Sequence, residues 1–306
     1  MDAWKDFRAC GLKHCHAKVN NIQLHFVEGG EHHTETVILL HGFPQSWVIW
    51  RYVIFDLLKR YHVIAVDLRG YGDSDKPEGM AGYDKANMAR DIYVLMKHLQ
   101  LAKVALVGHD RGARVARRFA LDYPDHVVGL GLIDILPLEY VYDHLSTSEA
   151  AKKYWHWVFQ IVPELPEELI AGREESYLSF LFRRAPHLLE RLKADGAWDE
   201  YVRIWKQPGS YQAALNDYRA THEIDLPRYR MEKEANRKMD TPCLLLWGKD
   251  GNLAEQPVLD IWNQVATTVT GREIANCGHY VPEEQPAVVV REIMPFLDTV
   301  FKTRET

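Results

Sequence analysis

Two hydrophobic rhythms alternate along the chain. Short unbroken apolar runs, at Thr36 to Leu40, Tyr61 to Asp67, Val104 to Val107 and Val127 to Asp134, have the length and β-branched content of buried strands. A further early strand is expected over Lys18 to Val27. Between the runs lie segments of helical period. In Tyr83 to Gln100, for example, Met88, Ile92, Leu95, Met96 and Leu99 share one face. After Asp134 the alternation stops, and Leu138 to Leu226 reads as helical and aromatic-rich throughout. Strand signals resume at Cys243 to Trp247 and Arg272 to Ala275, and Pro286 to Lys302 closes the chain as a helix. Strands alternating with helices predict an α/β fold, with a mostly parallel central sheet flanked by helices. The interruption predicts a helical cap inserted after strand 6. The expected division is a core of 1–137 and 227–306 with a cap over 138–226. Such a cap covers the carboxyl ends of the strands, where open α/β sheets bind ligands.

One junction carries chemistry. The run ending at Val107 continues as Gly108-His109-Asp110-Arg111-Gly112 and then as a helical segment to Tyr123. Strand, sharp turn with small residues, then helix is the pattern of a nucleophile elbow. Serine usually occupies its tip, and here the residue is Asp110. A carboxylate attacking an ester or amide would give an anhydride, a poor intermediate. Attack at an sp³ carbon bearing a leaving group gives a stable ester instead, which water must then hydrolyse.

Composition excludes more than it selects. The chain has 306 residues, 47% hydrophobic, with a formal net charge of −6. That fits an ordinary globular core, and no basic tract suggests nucleic acid. No apolar run approaches the length of a bilayer span, and Met1 to Asp6 lacks a signal-peptide core, so a cytoplasmic, membrane-free protein is expected. The four cysteines, Cys10, Cys15, Cys243 and Cys277, form no Cys-x-x-Cys pair and read as reduced thiols. His14-Cys15-His16, with His32 and His33 beyond, matches no common zinc spacing, so no metal is expected there.

Four motifs in order, His41-Gly42-Phe43-Pro44, Asp67 to Ser74, Gly108 to Gly112 and Gly278-His279, together resemble the α/β-hydrolase superfamily over nearly the whole chain. On that resemblance His279, after the last short strand, takes the place of the general base. Two acids could orient it. Asp250 follows the strand ending at Trp247, but the commoner slot, four residues after that tryptophan, holds Gly251. Asp134 ends the earlier strand among apolar neighbours, where an aspartate is costly without a partner. Asp134 is therefore the expected acid, and Asp250 a surface or loop residue. The backbone N–H groups of Arg111 and Phe43 are the expected oxyanion donors.

Arg111 and Arg114, three apart at a helix start, oppose the helix dipole and invite a small carboxylate between their guanidinium forks. Arg117 and Arg118 read as solvated. In the cap, Trp155 and Phe159 lie four apart and read as a packing face, which leaves His156 and Trp157 to point elsewhere. With Tyr218 they supply neutral donors for a departing anion.

These residues, from His41 to Trp47, Asp110-Arg111-x-x-Arg114, Asp134, Tyr154 to Trp157, Asp217 to Ala220 and Gly278-His279, closely resemble the fluoroacetate dehalogenases. The resemblance implies Asp110 as nucleophile, with Asp134 and His279 activating water. It further implies Arg111 and Arg114 on the substrate carboxylate, a halide pocket of His156, Trp157 and Tyr218, a homodimer and no cofactor. The implied reaction converts a small 2-haloacid such as fluoroacetate or chloroacetate to the 2-hydroxy acid. Family members often carry another lid tryptophan, and Ser179 to Arg184 offers none. The alternative is an epoxide hydrolase using Tyr218 and Tyr154 to protonate the opening oxygen. Arg111 argues against it, since those enzymes resemble one another in an aromatic residue after the nucleophile. A catalytically silent binding protein of the same fold is the remaining reading.

Overall fold

The computed structural model describes residues 12–183 and 185–303. Cys10 and the N-terminal stretch, which argued against a signal peptide, lie outside the described residues. Eight strands form one sheet in the order β1-β2-β4-β3-β5-β6-β7-β8. They are β1 Lys13–Val19, β2 Ile22–Gly29, β3 Thr36–Leu40, β4 His62–Val66, β5 Val104–His109, β6 Val127–Ile133, β7 Cys243–Gly248 and β8 Val269–Ile274. From β4 to β8 every pairing is parallel, whereas β2 runs antiparallel to both β1 and β4. Strands β3, β4, β5 and β6 are buried at every residue, as a parallel sheet covered on both faces requires.

The early strand expected over Lys18 to Val27 is instead a hairpin. Asn20 and Asn21 adopt φ of 41° and 66°, so the chain reverses there and splits the segment into β1 and β2. Asparagine tolerates this left-handed backbone, and two such residues make a tight hairpin turn. Elsewhere the helical periods are realised closely. Lys85–His98 buries Met88, Ile92, Leu95 and Met96, and the side chain of Asp84 caps it by accepting from the Asn87 N–H. Pro286–Lys302 buries Val289, Ile293, Leu297 and Val300 against the sheet.

Between β6 and β7 the chain is helical, from Leu138–Asp143 to Leu226–Glu234. One side of this cap is pinned to the core. Trp205 donates Nε1–H to the Pro44 carbonyl at 2.8 Å, Tyr201 hydrogen-bonds Glu283 at 3.0 Å, and Asp195 accepts from Arg51 and Tyr52. On the other side, helix Ser148–Lys153 buries none of its residues. A π-turn, Thr221–Asp225, joins Ser210–Ala220 to Leu226–Glu234 and returns the chain to the core. Among the described residues no helix is long and apolar enough to cross a membrane.

Candidate active site

Asp110 occupies the tip between β5 and helix Arg111–Asp122 with φ 48° and ψ −115°, a backbone few non-glycine residues adopt. The surroundings leave no slack for this turn. A Cβ on Gly112 would stand 2.3 Å from the Leu40 carbonyl oxygen, and one on Gly108 would stand 2.6 Å from the Ala113 nitrogen. The elbow is thus wedged against β3, and the carboxylate is driven up into the site. Its Oδ1 accepts a hydrogen bond from the Phe43 N–H at 3.0 Å. The Arg111 N–H lies in the first helical turn, where a helix leaves its amides unpaired.

His279 follows β8, and its Nδ1 is 2.6 Å from Asp134 Oδ2. Asp134 Oδ1 accepts from the Gly248 N–H at 3.0 Å, so both its oxygens are engaged. The other ring nitrogen, Nε2, is 3.9 Å from Asp110 Oδ2. That leaves acid, base and nucleophile in one line with a gap beside the nucleophile. Asp250 is exposed, and its backbone N–H bonds the Cys277 carbonyl. Burial alone would raise the pKa of Asp110. The cationic pull of His279, His109, Arg111 and Arg114 outweighs it and holds the carboxyl down at about 2.

A small, partly open cavity of about 30 Å³ lies above Asp110. Arg114, His156, Trp157, Tyr218 and His279 line it, with Tyr154 and the apolar Phe43, Leu136 and Val141. His156 and Trp157 are buried, while Trp155 and Phe159 are part-buried and pack against Tyr177 within the lid. Burial raises the Tyr218 pKa well above the ordinary value, so its hydroxyl stays a donor. A larger outer cavity of about 350 Å³ shares Leu136, Val141, Tyr154 and Asn252 with the first and is also bordered by His144 and Lys153.

The two arginines part company. Arg111 turns its guanidinium away from the cavity onto Asp217, bonding both carboxylate oxygens and the Asp217 carbonyl, and stacks 3.9 Å over the Tyr218 ring. Asp217 also accepts from Lys85 and from the Tyr71 hydroxyl. This corrects the expectation that Arg111 offers its fork to a substrate carboxylate, because the fork is already filled by one. Arg114 is 4% exposed, yet its Nε and Nη2 have no hydrogen-bond partner. Burial and the nearby Arg111 charge lower its pKa, the mark of a cation short of a counter-ion. Arg117 and Arg118, expected in solvent, are also buried, the first on Glu139 and the second on Asp122 and Glu232. Sequence reasoning missed Asp217 as a partner. The available signal was arithmetic, since a helix carrying four arginines needs acids from elsewhere if it is to be covered.

The chain matches the alpha/beta hydrolase fold family over residues 35–286. It is 34% identical over 287 residues to a soluble epoxide hydrolase of Corynebacterium sp. (strain C12), covering 93% of this chain and 97% of that protein. It is 33% identical over 294 residues to a fluoroacetate dehalogenase of Burkholderia sp, covering 91% of each. The crystal structure of Cfl2 from Burkholderia cenocepacia superposes with a TM-score of 0.82 at 35% identity, over 94% of this chain and 96% of that one. With its matching fold and a complete elbow, the chain belongs to the α/β-hydrolase family.

Proposed function

We propose that this hydrolase removes halide from small 2-haloacids, forming the 2-hydroxy acid through an ester on Asp110. The observation that carries this reading is Arg114, a buried guanidinium with no ion-pair partner among the described residues, lining the same cavity as the nucleophile. A buried uncompensated cation is costly, and a substrate carboxylate would offset it with charge-assisted hydrogen bonds. The cavity is also confined, at about 30 Å³, which disfavours bulky substrates.

Asp110 Oδ2 attacks the carbon α to the carboxylate. The carbon–halogen bond breaks with its electron pair leaving on the halide, among the N–H and O–H groups of His156, Trp157 and Tyr218. Water in the gap beside His279 Nε2 then gives up a proton to that nitrogen and attacks the Asp110 carboxyl carbon. Asp134 stabilises the imidazolium that results. The tetrahedral oxyanion forms on Oδ1, where the Phe43 N–H and the Arg111 N–H can hold it. Collapse breaks the ester C–O bond, the His279 imidazolium gives its proton to the departing alkoxide oxygen, and the Asp110 carboxyl loses its proton to solvent as the hydroxy acid leaves.

An epoxide hydrolase is the second reading. It is favoured by Tyr218, a phenol kept protonated by burial in the same cavity, with His156 or Tyr154 as a second donor. A neutral epoxide leaves Arg114 uncompensated, so we rank it below. The deciding assay incubates the enzyme with fluoroacetate, chloroacetate and styrene oxide and measures fluoride, chloride and diol. Halide release is expected. Diol without halide overturns the proposal, and binding of any of them without turnover would favour a silent receptor.

A further inference from the structure

The hairpin turn at Asn20 and Asn21 gathers three histidines that linear spacing keeps apart. His16 on β1 faces His25 on β2 directly in the antiparallel register, and His14 lies two residues from His16. Residues two apart on a strand share a face, and directly opposed residues hold their Cβ atoms about 5 Å apart. The rings follow this placement. His25 lies with its centroid 5.2 Å from that of His14 and 5.0 Å from that of His16. His14 Nδ1 is 2.9 Å from His25 Nε2.

Behind them stands a fixed carboxylate. His25 is buried, and its Nδ1 is 2.7 Å from Asp67 Oδ2. Asp67 is itself held by the N–H groups of Trp47 and Asp73, at 2.8 and 3.0 Å. A carboxylate on one ring nitrogen fixes the tautomer and aims the other nitrogen outward, as it does for imidazoles that bind metal. The Asp73 carboxylate lies within 4.8 Å of this His25–Asp67 pair, so the surroundings favour a cation. Arg203 opposes it through its ion pair with Asp73.

We propose that His14, His16 and His25 bind one divalent transition-metal ion of the zinc type, with Asp67 orienting His25. Three imidazoles with an open fourth position suit Zn²⁺, and imidazole equally accepts Co²⁺, Ni²⁺ and Cu²⁺. Bonds of about 2.0–2.1 Å put tetrahedral ligand nitrogens about 3.3 Å apart, so the His14–His25 pair need open only slightly. Among the described residues the one group of three with ligand atoms within 4.8 Å of one another is His25, Asp67 and Asp73, so binding requires the exposed His16 to turn a ring nitrogen toward His14 and His25. Spacing along the chain does not register a set of side chains that a hairpin assembles. None of these residues lines the catalytic cavity, so the proposal stands whether or not the dehalogenase reading does.

The test uses tag-free, EDTA-treated full-length protein. Titration calorimetry with ZnCl₂ is expected to give one ion per chain with a dissociation constant of micromolar or below. Titration with CoCl₂ should give the visible absorption of a tetrahedral nitrogen site. His14→Ala and His16→Ala, both at exposed positions, should each weaken binding at least tenfold while turnover stays at the wild-type rate. His279→Gln should leave binding unchanged, which separates this site from the catalytic histidine. The absence of one-to-one binding in the wild type, or wild-type affinity in either the His14 or the His16 variant, overturns the proposal.

Discussion

Asp217 fills the guanidinium fork of Arg111, with Arg111 Nη2 2.7 Å from Asp217 Oδ1, so that two arginines three residues apart have opposite roles. One is neutralised within the protein, whereas the other is left for whatever enters the cavity. Replacing Asp217 by Asn should therefore act on stability. Breaking a buried ion pair from one side costs about 3–5 kcal/mol, and here Arg111 loses its acid while Lys85 keeps only Asp225, at 3.9 Å. At roughly 2–4 °C per kcal/mol for a large domain, Tm should fall by on the order of 10 °C. A thermal melt that is unchanged would show the network to be without structural weight.

Arg114 should behave in the reverse manner. Arg114→Met removes a buried cation that has no ion-pair partner among the described residues, only the Leu136 carbonyl and the Trp157 ring, so the substrate-free protein should melt at a higher temperature. The same change should reduce kcat/KM for a haloacid about a hundredfold or more, since hydrogen bonds to charged groups contribute about 1.5–3 kcal/mol each. Melting curves and halide-release kinetics on one preparation test both halves. A variant that keeps its rate on haloacids would remove Arg114 from substrate recognition.

His279→Gln should separate the two chemical steps. The nucleophile is intact, so halide leaves once per active site, but water is no longer activated, and loss of a general base costs about 10²–10⁴ in rate. Intact-protein mass spectrometry after mixing with chloroacetate should find the ester on Asp110. Failure to trap it, with halide release blocked as well, would place His279 in the first step.

Asp225 sets a pH dependence of folding. Burial raises its pKa from 3.8 to about 6, against the pull of Lys85. The folded chain thus holds a proton that the unfolded chain has released between about pH 4 and pH 6. Stability falls as pH rises through that window, and above it the full cost persists, about 3 kcal/mol. Asp225→Asn should remove the cost, so its Tm relative to wild type should be several degrees more favourable at neutral pH than near pH 4. An offset that does not change with pH would count against a raised Asp225.

Gly112→Ala tests the elbow. Its Cβ would meet the Leu40 carbonyl oxygen, which is backbone and cannot rotate away. Overpacking of this kind costs about 1–3 kcal/mol, and the displaced turn should carry Asp110 away from the Phe43 N–H. Turnover should fall more than stability does, measured by halide release beside a denaturant melt.

Much of the fold was legible because it rests on local periodicity. The runs at Thr36 and Val104 and the helix at Pro286 announce themselves over a few residues. The chain order of Asp110, Asp134 and His279 was likewise readable, since the fold presents each at the end of a strand. The hairpin was less so, because Asn20-Asn21 interrupts a segment whose residues otherwise all suit a strand. The arginines were less legible for a different reason. Arg117 and Arg118 look solvated until the acids that cover them, Glu139 and Glu232 from outside their helix, are known. Arg111 looks available to a ligand until Asp217, more than a hundred positions away along the chain, is placed beside it.

The cap is fastened along the side of Trp205, Tyr201 and Asp195 and loose along helix Ser148–Lys153, where the outer cavity meets the inner one. The inner cavity therefore opens on this side past Tyr154 and Asn252, with Lys153 and Glu149 at the rim. On the proposed reading, product anions and the next substrate share that path, so added chloride is expected to slow turnover by occupying it.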